Sequence, residues 1–259
     1  MGHGASTKAL EGAALARRPG SLYAPTPKRI EIGTDIGNIL CCPLSADLTD
    51  LTGNHVFDYG TPSFGTADST HGSYDGGTMM IVENSAALNP RIIADGAAAH
   101  QIPHTSPVTF GAFIYPRVYN GSPAMLCSGN GGFGNNYGLY RQSTAGWQFL
   151  GNGQTSMGDH KTKTPIQRWF HVCMAVSANR TTSPAAAFYL NGREVWSGTV
   201  NAEAVQTTDN FALTSDADDT SAAWEGLMCN AFVTDTLLSA ATIKNLSDES
   251  FGHASPWMG

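Results

Sequence analysis

The chain has 259 residues, a formal net charge of −7 and only 14% charged residues. Its 14 Lys and Arg are spread out apart from Lys8 to Lys28, so it lacks the basic stripe that neutralises phosphates, which excludes nucleic acid as the main partner. No run approaches the ~18 apolar residues of a membrane span, and no membrane partner is expected. Ala9 to Ala16 is too short for a secretory signal: it is broken by Glu11 and Gly12 and followed by Arg17-Arg18-Pro19.

Residues 1–37 read as an N-terminal arm. Ser6 or Thr7 caps a short helix that runs to about Arg18, and Pro19-Gly20 ends it. The following segment, with Pro25 and Pro27, favours an extended path. Leu10, Arg17, Arg18, Tyr23, Lys28 and Arg29 are the arm residues expected to mediate assembly with a neighbour. Residues 38–247 read as one β domain and residues 248–259 as a C-terminal tail. Strands are expected at 38–44, 55–59, 78–82, 107–115, 124–128, 137–141 and 147–150. The stretch 168–198 follows as strand, loop, strand, tight turn and strand. Within it Phe170, Val172, Met174 and Val176 alternate with Trp169, His171, Cys173 and Ala175, and Asn191-Gly192 is a strong hairpin signal. Strands at 211–214 and 224–234 complete the set. A helix over 238–246 closes the domain, with Ser239 as N-cap and Ile243 and Leu246 turned inward. Roughly a dozen short strands at even spacing predict an all-β, two-sheet antiparallel sandwich of jelly-roll type.

The five Cys are odd in number, and Cys41-Cys42 are adjacent, a placement that suits disulfide geometry poorly. Cys127, Cys173 and Cys229 fall at strand positions, where a free Cys acts as a small apolar residue. Reduced thiols and assembly in a cytoplasm are the expectation.

Four blocks in order resemble the laminin G-like branch of the concanavalin A-like jelly rolls. They are Leu44 to Asp50 with Gly53-Asn54; Phe110 to Tyr115; Arg168-Trp169-Phe170-His171-Val172 through Tyr189-Leu190-Asn191-Gly192; and Trp224 to Met228 followed by Leu238-Ser239. The resemblance covers about residues 38–247 and implies two packed antiparallel sheets. It names no activity, because the fold hosts lectins, glucanases, adhesion modules and virion parts. Where the family's closing strand often carries an acidic residue, this chain has Cys229 and Asn230.

Glycoside hydrolysis needs two carboxylates flanking one bond, and the glutamates here lack the close spacing of glucanases of this fold, so no catalytic residue is expected. Asp216, Asp218 and Asp219 carry oxygens of the kind Ca²⁺ takes, but a solvated acidic loop is the simpler reading, and no other cofactor is implied. His100 and His104 have helical zinc spacing, yet Pro103 argues against a helix and leaves a surface pair. The Gly129 to Gly134 run matches a dinucleotide fingerprint without its strand–helix setting. Tyr137, Tyr140 and Trp147 suit either sugar stacking or core packing. The expectation is a non-enzymatic structural or interaction protein. Its proposed setting is a bacteriophage virion (head decoration, fibre or tail component), attached through the arm to other virion proteins or copies of itself. The alternative is a lectin-like module for cell-surface glycans.

Overall fold

The structure, a computed structural model, describes residues 36–42, 44, 48–54, 57–59, 63–65, 79–82, 92–94, 102–118, 124–129, 135–142, 146–158, 166, 168–203, 211–213 and 225–251. In chain order the strands are β1 (Leu40–Cys42), β2 (Phe57–Tyr59), β3 (Ser63–Gly65), β4 (Met79–Val82), β5 (Ile92–Ala94), β6 (Val108–Val118), β7 (Ala124–Gly129), β8 (Asn135–Gln142), β9 (Gly146–Gly151), β10 (Gly153–Ser156), β11 (Phe170–Val176), β12 (Ala185–Leu190), β13 (Arg193–Thr199), β14 (Phe211–Leu213) and β15 (Glu225–Thr234). A 3-10 turn covers Arg180–Thr182, and one helix, α1, covers Ala240–Phe251.

One sheet runs β13-β12-β11-β6-β15-β4-β3, with β1 also paired to β15, and the other runs β10-β9-β8-β7-β14-β5-β2. Every pairing is antiparallel, as the strand spacing predicts. Phe110, Ala112 and Ile114 of β6 lie opposite Met174, Val172 and Phe170 of β11. All six point into the space between the sheets, where they meet Tyr137, Leu139, Trp147 and Phe149. The Trp147 and Phe188 rings are 5.1 Å apart and Phe110 and Tyr137 5.0 Å apart, which places β9 over β12 and β8 over β6.

The alternation in β11 does not separate an inner from a wet face, because all seven residues are buried. The second set packs in another layer. Trp169, Cys173 and Ala175 join Phe113, Leu227 and Phe232 beneath α1, whose Ile243 is buried and whose Leu246 packs against the layer. The Ser239 Oγ accepts from Thr242 N at 3.1 Å, as the expected N-cap. The helix extends past the expected 238–246 to Phe251. The strands β3, β5 and β10, of three or four residues each, are additions to the expected set.

Asn191 (φ 50) and Gly192 (φ 74) both take the left-handed conformation of the tight hairpin turn. The turn is tied to β11: Asn191 N donates to His171 O at 2.8 Å, and His171 N donates to Asn191 Oδ1 at 2.9 Å. A Cβ on Gly192 would lie 2.9 Å from Lys244 Cα and 3.0 Å from Ser247 Cβ, so the turn is also the seat of α1.

His171 is fully buried and stacks on Phe113, with centroids 4.5 Å apart and planes at 20°. Neither ring nitrogen has a hydrogen-bond partner among the described residues. Burial without an acceptor lowers its pKa from 6.5 to about 3. Burial also pushes the Cys229 thiol up to about 12 and the Cys173 thiol higher still, so both remain neutral packing groups.

Two outcomes are expected. Gly192→Ala destabilises by about 2–4 kcal/mol, the sum of a left-handed penalty and a clash with α1. Gly53→Ala, at φ +71 with nothing within 4 Å, pays only the first part, about 1–2 kcal/mol, and denaturant unfolding separates the two. For His171 the unfolded chain binds a proton that the folded chain refuses between pH 6.5 and about 3, so stability falls with acid across that window. The slope attributable to this residue is about 1.4 kcal/mol per pH unit, and His171→Phe removes it from the pH dependence of unfolding.

Candidate functional site

The registers gather several loops at one pole of the eight-stranded sheet. Val108 pairs with Val176, Val176 with Ala186, Ala185 with Thr199, Thr109 with Thr234 and Leu40 with Val233. The segments 36–39, 102–107, 177–184, 200–203 and 235–239 therefore converge there, and bonds from Leu51, Thr52 and Asn54 to the carbonyls of Cys41 and Ile39 hold 50–54 beside them.

A buried guanidinium holds three of them. Arg180 is 1% exposed. Its Nε donates to Glu203 Oε1 at 2.5 Å, its Nη2 to Ile102 O at 3.1 Å, and its Nη1 to Pro103 O at 3.2 Å and to Ser106 O. Its guanidinium carbon lies 5.9 Å from the centre of the Tyr137 ring, which forms the floor. The backbones are locked as well: Arg180 N donates to His104 O and Glu203 N to Arg180 O, both at 2.9 Å. The second carboxylate oxygen of Glu203 lies 3.1 Å from Nδ1 of His104, whose side chain is 24% exposed. Burial raises the Glu203 carboxyl above the usual range, against the pull of the Arg180 guanidinium and, less strongly, the His104 ring.

Two further devices shape the pole. The 3-10 turn is flanked by Asn179 (φ 60) and Ser183 (φ 58), and a left-handed Ser is a strained conformation. Asn179, Thr181, Thr182 and Ser183 are all exposed. On the other side Asp50 Oδ1 accepts from Cys41 N at 2.9 Å and Thr52 N at 3.1 Å, while Asn38 and Asp235 exchange side-chain and backbone bonds. The Asp50 to Asn54 block is thus a structural turn.

Of the residues singled out in the sequence, His104 lies at this pole and Tyr137 lies beneath it. Tyr137 and Trp147 are 5% and 0% exposed in the inter-sheet core. Tyr140, also 5% exposed, packs with Leu150. Their burial favours core packing, one of the two readings of this trio, over sugar stacking. The arm residues Leu10, Arg17, Arg18, Tyr23, Lys28 and Arg29 lie outside the described residues, as do Asp216, Asp218, Asp219 and His100. Among the described residues no group of three or more His, Cys, Asp or Glu is arranged to hold a metal ion. Asp50, Glu203, Asp235 and Asp248 are engaged with Cys41, Arg180, Asn38 and Lys244, and Glu194 hydrogen-bonds Tyr189. The Arg180–Glu203–His104 network has no sequence signal. Its members are 23 and 99 residues apart, and an Arg in a Ser/Thr/Asn loop reads as a solvated charge.

The model of the concanavalin A-like lectin/glucanases superfamily matches residues 94–244, more than half of the chain. The chain belongs to this superfamily. That agrees with the two-sheet architecture and with the expected jelly roll. No curated protein matches the sequence. Among solved structures, the superfamily domain here is similar to the binding domain of Paraclostridial mosquitocidal protein 1, with TM-score 0.61, 11% identity, and coverage of 85% of this chain and 53% of that one. It is similar to the receptor binding domain of the botulinum neurotoxin C/D mosaic serotype, with TM-score 0.57, 12% identity, and coverage of 83% and 52%. It is also similar to domain 4 of an extracellular arabinanase from Geobacillus stearothermophilus, solved in complex with arabinotriose, with TM-score 0.53, 18% identity, and coverage of 80% and 99%. The match spans about half of each toxin domain and nearly all of the arabinanase domain. At these identities the likeness establishes the fold.

Arg180→Met leaves a buried carboxylate and three carbonyls without their donor. It is expected to cost about 3–5 kcal/mol in denaturant unfolding. Adding Glu203→Gln recovers part of that loss, so the double substitution costs less than the sum of the two singles.

Proposed function

We propose that the chain is a non-enzymatic recognition module of lectin type, engaging glycan or receptor through the loop pole. The observation that carries this is the rim of exposed hydroxyl and amide side chains at Asn179, Thr181, Thr182 and Ser183, braced by the buried and hydrogen-bonded Arg180. Loops held on a rigid scaffold are where binding residues concentrate, and backbone strain clusters at such sites. The fold is shared with a receptor binding domain and with a domain solved with an arabino-oligosaccharide, which supports this reading over a purely structural one. The superfamily also contains glucanases. The structural engagement of the placed carboxylates favours binding over hydrolysis.

A narrower setting is proposed beside it: a bacteriophage virion component, assembled in the host cytoplasm and joined to other virion proteins or copies of itself through residues 1–37. The neutral buried thiols of Cys173 and Cys229 suit assembly under reducing conditions. Deleting residues 1–36 tests it, since undiminished particle incorporation or self-association sinks the arm's role.

For the main reading, the purified chain is expected to bind at least one glycan class on an array, confirmed by titration calorimetry. Thr181→Trp, an exposed change that blocks the rim, is expected to abolish that binding while leaving stability within about 0.5 kcal/mol. Binding unaffected by this change moves the site off the pole, and an array without any signal overturns the reading.

A further inference from the structure

The chemistry of the pole restricts what it can hold. Four of the five guanidinium N–H groups of Arg180 are taken by Glu203 and the carbonyls of Ile102, Pro103 and Ser106. Its charge is spent beneath the surface. The other described cations with placed side chains lie away from the pole. Arg117 ends β6 and Arg168 precedes β11, both at the far pole. Arg193 follows the hairpin turn, against which Lys244 packs. Arg141 sits at the far end of β8, whose near end carries Tyr137 under Arg180. At the pole itself Glu203 and Asp50 are buried and Asp235 is partly exposed. An anionic ligand would find no exposed Lys or Arg there among the described residues.

The same network also presents a ring nitrogen. A carboxylate oxygen 3.1 Å from Nδ1 requires the proton of the neutral ring to sit on Nδ1, which leaves the Nε2 lone pair of His104 available. No described residue bonds to Nε2, and the side chain is partly exposed beside the Asn179–Ser183 rim, joined to it by the bond from Arg180 N to His104 O. Arg180 fixes the loop that carries His104, and Glu203 fixes the ring. A partly exposed imidazole clamped through both its backbone and its ring is a preorganised acceptor for an O–H donor.

From this arrangement we infer that the pole selects uncharged, hydroxyl-rich ligands (neutral glycans) over sialylated or sulfated ones, with Nε2 of His104 accepting a ligand hydroxyl. The inference rests on the recognition reading above and adds the ligand class and its contact residue.

The experiment uses the full chain, an array carrying neutral, sialylated and sulfated glycans, and calorimetry on the best neutral hit. The expected result is binding confined to neutral glycans, with affinity lowered about tenfold or more by His104→Phe and largely kept by His104→Gln, whose side-chain carbonyl still accepts. Heteronuclear NMR of ring-labelled protein reads the tautomer without any ligand, and Nε2 is expected to be the unprotonated nitrogen. Preference for a sialylated or sulfated glycan overturns the ligand class. Equal affinity of wild type and His104→Phe, or a proton on Nε2 of the neutral ring, overturns the contact. Absence of any glycan binding overturns the recognition reading itself, and this inference with it.

Discussion

A guanidinium taken out of water must have its charge and its donors answered on the spot, or the fold loses several kcal/mol. Arg180 meets that demand by drawing one carboxylate and three carbonyls to itself from segments that are distant in sequence. The carbonyls belong to the segment entering β6, and the carboxylate belongs to the segment leaving β13. The loop between β11 and β12 supplies the Arg. One side chain therefore sets the relative positions of three connections at the pole. The orientation of His104 and the display of the Asn179–Ser183 rim follow from it.

The opposite end of the same strands depends on apolar layering. β11 and β6 run through the middle of the eight-stranded sheet, with the partner sheet on one side and α1 on the other. Strands buried on both faces need side chains that pack in both directions, and Gly111 shows the tolerance: a Cβ there would lie 2.5 Å from Val172 O and 3.0 Å from the Phe232 ring. The hairpin turn at Asn191-Gly192 ends one pair of strands and receives the helix, so turn chemistry and helix docking are decided at a single glycine. Rigidity in this half allows the other half to carry strained, polar loops.

Much of this was readable beforehand, and the failures have physical causes. The strand pattern of β11, the turn at Asn191-Gly192 and the cap at Ser239 are local signals that act over a few residues, and each appears where expected. The aromatic trio Tyr137, Tyr140 and Trp147 was ambiguous because period-2 spacing assigns faces without saying what covers them. Trp169 and His171 lie on the face of β11 opposite Phe170 and Val172, and that face is also buried, which a strand pattern does not say. His104 was read as one member of a surface pair with His100, while its partner in the structure is Glu203.

The sequence alone determined that this is an antiparallel β sandwich with a closing helix, since periodicity, turn residues and caps are written within each short segment. Tertiary structure alone decided where the polar business of the molecule lies. Arg180, Glu203 and His104 acquire meaning only when three chain segments meet, because a buried ion pair is a property of shared desolvation and not of any spacing along the chain.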